Sequence, residues 1–191
     1  MIPTTATDKE HRRYVCNIIR AYESASADQE KRGREWYSTA HQVAEFMAEG
    51  DVRKGAGVIA ALSPQKTWDL NVRMARQALE TGKATGHVLD ALNKAAKILA
   101  GADPADVLPP ALKTGMFYRT IMDPDDPDAV VIDRHAHDVA VGERYGNRDR
   151  GLHNKNRYAT LAHAYREAAR LLQTLPSTVQ AVTWLVQSEG E

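Results

Sequence analysis

Residues 130–138 read Val-Val-Ile-Asp-Arg-His-Ala-His-Asp, so an apolar β-branched run delivers a carboxylate, a guanidinium and two imidazoles into one helical turn. These are the side chains of proton transfer and charge stabilisation, which makes Asp133, Arg134, His135 and His137 the first candidates for a reactive site. A competing chemistry takes Asp133, His135, His137 and Asp138 as ligands of a divalent metal that activates water for phosphoester hydrolysis. On a helix Asp133 and His137 share a face at a spacing of four, while His135 points roughly the other way. That set therefore converges on one ion only if the segment is extended.

The elements around this segment decide how it is presented. The preceding residues 123–128 alternate Asp with Pro124 and Pro127, and proline lacks an amide hydrogen and pushes its predecessor toward extended geometry. The chain thus enters Asp133 from a loop and a short extended run. Ala136, Val139, Ala140 and Val141 then recur at helical spacing, so Asp133 is predicted to be the N-cap of a helix. A purely structural cap fits the same residues. Upstream, a first helix capped by Thr5 or Thr7 is predicted to reach Ser24. A second spans residues 28–48, with Trp36, Val43, Phe46 and Met47 on its buried stripe. Asp51 caps a third that ends in Val58–Leu62, and Thr67 starts a fourth that runs through Thr81. Further helices are predicted over 87–100, 110–122 (begun by Pro110), 155–173 and 177–188, with a turn at 104–108. At most one short strand fits this pattern. The fold class is all-α, with residues 1–191 as one two-lobed helical domain and a cleft between an amino-terminal bundle and the Asp133 helix.

Two other places present chemistry-bearing groups. The corner Ser63-Pro64-Gln65-Lys66-Thr67-Trp68 sets an amide, an ammonium, a hydroxyl and a flat ring on one short connection, with Asn71 on the face of Thr67. Gln65 can bond a base edge and Trp68 can stack on one; Trp68 as a core residue is the alternative. The segment Leu108–Arg119 brings Lys113 and Thr114 to a helix amino end, where unpaired N–H groups attract phosphate. Lys113 on a solvated face is the competing reading.

Lys and Arg number 25 against 25 Asp and Glu, so no global charge draws the chain to nucleic acid, and any such grip needs a local basic face. The best patch is Arg144, Arg148, Arg150, Lys155 and Arg157, which on its own supports a non-catalytic nucleic-acid-binding module or a solvated loop. A single cysteine, Cys16, excludes an internal disulfide and a multi-cysteine zinc site. Its spacing with Val15, Ile18, Ile19 and Tyr22 reads as a buried position. A reducing cytoplasm suits this composition. No apolar run approaches the roughly 18 residues of a membrane helix, and no leader pattern stands at the N-terminus. His41, His87, His153 and His163 show no metal-ligand spacing.

In order and in motif, three of these elements resemble the helix-hairpin-helix DNA glycosylase superfamily. The Ser63–Thr67 corner stands where that family has an S-x-Q-T type corner, Leu108–Thr114 where it has its hairpin, and Ile132–Asp138 where it has a V-D-x-H-V-x-R segment. The trailing Tyr165–Ala169 and Val179–Trp184 are similar to the phage branch of glutamyl/putrescinyl-thymine pyrophosphorylase-like, or amino-acid:DNA transferase, proteins. The likeness covers residues 57–184. It implies a DNA-base-modifying enzyme that transfers an amine onto an activated 5-hydroxymethyl pyrimidine, with DNA and a small amine or amino acid as partners and no cofactor. Asp133 would be the catalytic carboxylate, aided by Lys113. Arg134 would neutralise phosphate and His135 would orient the carboxylate or bind the backbone. Gln65, Lys66, Thr67, Trp68, Asn71 and His137 would complete the substrate site, and Arg144, Arg148, Lys155 and Arg157 would hold the DNA backbone. His137 and Asp138 replace an apolar residue and an arginine of the glycosylases, which turns the expectation from base excision toward transfer.

Overall fold

A computed structural model describes residues 5–190, and among these the fold is all-α with no strand. Local signals explain the helix starts. Thr7 caps α1 (Asp8–Glu23) in a full capping box, its hydroxyl accepting from the Glu10 amide while the Glu10 carboxylate accepts from the Thr7 amide. Helix α2 covers Ala27–Met47 and α3 covers Val52–Leu62, the latter capped by Asp51 through the Lys54 amide. Then follow α4 (Trp68–Thr81), α5 (Leu89–Leu99), the single turn α6 (Pro104–Val107) and α7 (Lys113–Met122). The last three are α8 (Arg134–Val141), α9 (Lys155–Leu171) and α10 (Pro176–Glu189). No helix among the described residues is long and apolar enough to cross a membrane.

The chain divides into two compact units, with one boundary inside α2 between Tyr37 and Ser38. The first unit holds α1, the start of α2, residues 111–113 and everything from Asp125 onward. Within it α1 packs on α8, α9 and α10, and α10 also packs on α8 and α9. Ile18, Leu161, Tyr158, Tyr165, Val179 and Val182 are buried between these helices, each contributing about 1.5–3 kcal/mol through removal from water. The second unit packs α3 against α4, α5 and α6 around Val58, Ile59, Leu62, Ala75 and Ile98.

Four expectations are corrected. The amino-terminal helix is not a lobe apart from the Asp133 helix, since α1 lies directly on α8. Helix α7 begins at Lys113 rather than at Pro110, because Gly115 in its first turn lies against the Pro109 carbonyl and Pro110. A Cβ at Gly115 would stand 2.2 Å from the Pro109 oxygen, so the chain doubles back there and residues 110–112 form a turn. Phe46 is 79% exposed: the buried line on its helix runs through Ala40, Ala44 and Met47, and Phe46 flanks it. Cys16 is exposed, because the buried face of α1 follows Tyr14, Val15 and Ile18 and position 16 turns away from it.

Candidate functional site

Asp133 is the N-cap of α8, as its surroundings predict. Its Oδ1 accepts from the Ala136 amide at 2.9 Å. Among the described residues its Oδ2 accepts no hydrogen bond, and the residue is half-buried. The approach to the cap is fixed from beneath. The buried Tyr158 hydroxyl accepts from the Ile132 amide at 2.8 Å and donates to the Val130 carbonyl at 3.3 Å. Upstream, Asp126 Oδ1 gathers the amides of Asp128 and Ala129, and Arg166 donates to the Asp128 carbonyl. On α8 itself, the Tyr165 hydroxyl donates to the Ala136 carbonyl and the Asn17 side chain donates to the Ala140 carbonyl. Gly142 then ends the helix at φ 77°, a left-handed conformation that suits glycine, with Asn17 packed where a Cβ would stand.

The charge of Asp133 reaches three buried phenols of the same unit, Tyr37, Tyr158 and Tyr165. Tyr37 donates to Gln180 Oε1 at 2.7 Å, and burial together with the nearby charge of Asp133 pushes its phenol well above the ordinary value. Burial raises Tyr158 and Tyr165 in the same direction, with the Asp133 charge adding to it. All three stay protonated beside the carboxylate. Trp36 meets Tyr37 and Trp184 edge-on at centroid distances of 4.9 Å and 6.2 Å, and Trp184 meets His135 at 6.3 Å. Arg134 is exposed and donates from Nε to His135 Nε2 at 3.0 Å, which places the proton of neutral His135 on Nδ1. Sequence spacing does not mark the half-buried Trp36 and Trp184 as site residues: Trp36 falls on the core stripe of α2 and Trp184 in a trailing motif, and only the packing of α10 on α8 brings the second ring to His135.

His137 and Asp138 face the other way, into the unit. The Asp138 carboxylate takes both Nε and Nη2 of Arg150, at 2.8 and 2.7 Å, and the Tyr145 amide at 3.0 Å. His137 Nδ1 lies 2.8 Å from Asp138 Oδ1, and its Nε2 lies 3.2 Å from Arg157 Nη2. A guanidinium only donates, so Nε2 accepts and Nδ1–H donates to Asp138. Burial and the Arg157 charge push the His137 imidazole below its ordinary value and keep it neutral. Burial opposes the charge on Asp138, but the Arg150 fork, the His137 N–H and the Tyr145 amide outweigh it and hold the carboxyl below the usual range.

This network corrects several expected roles. His137, expected in the substrate site, is fully buried with both ring nitrogens taken by Asp138 and Arg157. The four-residue metal set does not assemble, because His137 and Asp138 are committed to arginines and His135 to Arg134. Arg157 is 2% exposed and donates to Tyr14 and His137, so it holds no DNA backbone. Arg150 is likewise spent on Asp138. Arg144, Arg148 and Lys155 remain exposed, although Arg148 lies over the Tyr145 ring and pairs with Glu143 at 2.7 Å. An open hollow of about 480 Å³ at the carboxyl end of α8 is lined in part by Arg20, Arg144, Asn17 and Gln187.

The corner residues Gln65, Lys66, Thr67, Trp68 and Asn71 belong to the second unit, whereas Asp133 and Lys113 belong to the first. Gln65 takes the left-handed φ of 59°, uncommon for a side-chain-bearing residue and a sign of a tight polar corner. Gln65 and Thr67 are exposed, and Lys66 and Trp68 half-buried. Asn71 is buried, and its Oδ1 has no hydrogen-bond partner among the described residues.

A family model matches residues 1–191, the whole length of the chain. The chain belongs to the family of unknown function DUF7178. No curated protein and no solved structure matches it.

Proposed function

We propose that the chain modifies a nucleobase in DNA, with Asp133 as the reacting carboxylate and transfer of an amine onto an activated 5-hydroxymethyl pyrimidine as the reaction. The observation that carries this reading is the state of Asp133: one oxygen locked by a helix amide, the other without a hydrogen bond, on a backbone held by the Tyr158 hydroxyl. A carboxylate fixed in this way is ready to accept a proton. The amine attacks the exocyclic methylene carbon, the bond from that carbon to the phosphate oxygen breaks, pyrophosphate leaves, and the proton shed by the amine passes to Asp133 Oδ2.

The half-buried rings of Trp36 and Trp184 suit a flat heterocycle, since stacking on an aromatic is worth about 1–3 kcal/mol per base. A base must leave the duplex stack to reach such a site. The exposed Arg134 suits a phosphate beside it, and Lys113 adds a cation to the same unit. The resemblance of the Ile132–Asp138 segment to glycosylase-type transferases supports the same chemistry.

Nucleoside mass spectrometry tests the proposal. An oligonucleotide carrying pyrophosphorylated 5-hydroxymethyluracil is incubated with the protein and either glutamate or putrescine, then digested. A nucleoside bearing the amine, with pyrophosphate released, is the expected result. Free base and abasic sites would replace transfer by excision, and unchanged nucleosides would end the enzymatic reading.

A further inference from the structure

We propose that His11, His163 and Glu167 form a binding site for a divalent transition-metal ion of the zinc type, separate from the Asp133 site and independent of the function proposed above. His163 and Glu167 stand four residues apart on α9 and so share a face of that helix. The packing of α1 on α9 brings His11 to them. His11 Nε2 lies 2.7 Å from Glu167 Oε2, the rings of His11 and His163 stack with centroids 4.8 Å apart, and one donor atom from each of the three residues lies within 4.8 Å of the others.

A zinc ion binds imidazole nitrogen and carboxylate oxygen at about 2.0–2.2 Å, so two of its ligands stand about 3.3 Å apart. Small side-chain rotations close the difference, because all three residues reach the surface: the His11 and Glu167 side chains are 18% and 36% exposed and His163 is open to solvent. Two imidazoles with one carboxylate select zinc, cobalt, nickel or copper over magnesium or calcium, which favour oxygen sets. An ion pair between His11 and Glu167 explains their 2.7 Å contact without a metal. It does not require the second imidazole, which is stacked on the first while no described residue hydrogen-bonds it. On binding, His11 Nε2 and Glu167 exchange their mutual contact for the ion, and any proton on that nitrogen passes to solvent. Water completes the coordination. The ion ties α1 to α9, the two helices packed on α8.

Tag-free protein stripped with chelator is titrated with Zn²⁺ by calorimetry, with elemental analysis after dialysis. One equivalent is expected to bind in the wild type. His163→Ala and Glu167→Gln should each weaken binding by about tenfold or more, while His153→Ala, at an exposed histidine outside the cluster, leaves it unchanged. At Zn²⁺ about 100-fold above Kd the unfolding midpoint should rise by about 5–10 °C in the wild type and not in His163→Ala. Position 163 is exposed, so that variant keeps its fold, which circular dichroism checks. Uptake well below one equivalent, or uptake that survives His163→Ala, overturns the site.

Discussion

Position 138 carries a charge that the interior accepts only because three groups meet it. The Arg150 fork, the His137 N–H and the Tyr145 amide leave the carboxylate 8% exposed and fully bonded. Asp138→Ala strands Arg150 and releases His137, and urea unfolding should report a loss of about 3–5 kcal/mol. Arg148→Ala, which breaks an exposed pair with Glu143, should cost less than about 1 kcal/mol. Equal losses would mean that the buried fork carries no special weight. The sequence marked this turn as chemically dense but could not divide it. Asp133 was legible as a cap because capping is local, set by residues one turn away. The inward assignment of His137 and Asp138 depends on Arg150 and Arg157, 12 and 20 residues further on, and no spacing rule links them. The expectation of no metal-ligand spacing at His163 is corrected at this scale: Glu167 stands four residues on, but the second imidazole, His11, lies 156 residues from Glu167 and only the fold supplies it.

Helix α8 is short, and its position comes from hydroxyl and amide anchors rather than from propensity. Tyr158 serves as both acceptor and donor for the extended run into the cap. Tyr158→Phe leaves the buried Ile132 amide without its partner, so stability should fall by about 1–3 kcal/mol in chemical denaturation. Because Asp133 follows Ile132 directly, the function proposed above requires turnover to fall further than DNA affinity in this variant. A variant with wild-type stability would show that the bond is not needed to hold the run. At this scale the sequence is informative: the starts of α1, α3 and α8 follow from the side-chain caps Thr7, Asp51 and Asp133, while Thr67 stands at the start of α4 without a capping bond from its hydroxyl. The boundary at α7 differs from the expected one because the chain doubles back locally, Gly115 lying against Pro109 six residues earlier, which overrides the preference of proline for a first helical position.

Across the whole molecule the all-α class was written in the helical periodicity, while the grouping of helices was not. Packing of α1 on α8 is a relation between residues such as Asn17 and Ala140, more than a hundred positions apart. The network so enclosed gives stability a pH dependence with a defined sign. Burial depresses the His137 imidazole in the folded chain, so below about pH 6.5 the unfolded chain binds the proton first and stability falls. Asp138, held low in the fold, adds its loss only at pH values near and below the ordinary carboxylate range. Between pH 7 and pH 5.5 the midpoint of thermal unfolding should therefore drop, and drop less in His137→Gln, whose amide can still accept from Arg157 and donate to Asp138. An identical drop in both proteins would remove His137 as the cause.

Asp133→Asn separates chemistry from architecture, because asparagine caps a helix as well as aspartate but is a far weaker base. With DNA carrying pyrophosphorylated 5-hydroxymethyluracil, single-turnover formation of the amine-bearing nucleoside should fall by about 10²–10⁴-fold in this variant, with DNA affinity and unfolding midpoint close to wild type. Retention of the full wild-type rate by Asp133→Asn would contradict a reacting carboxylate at this position.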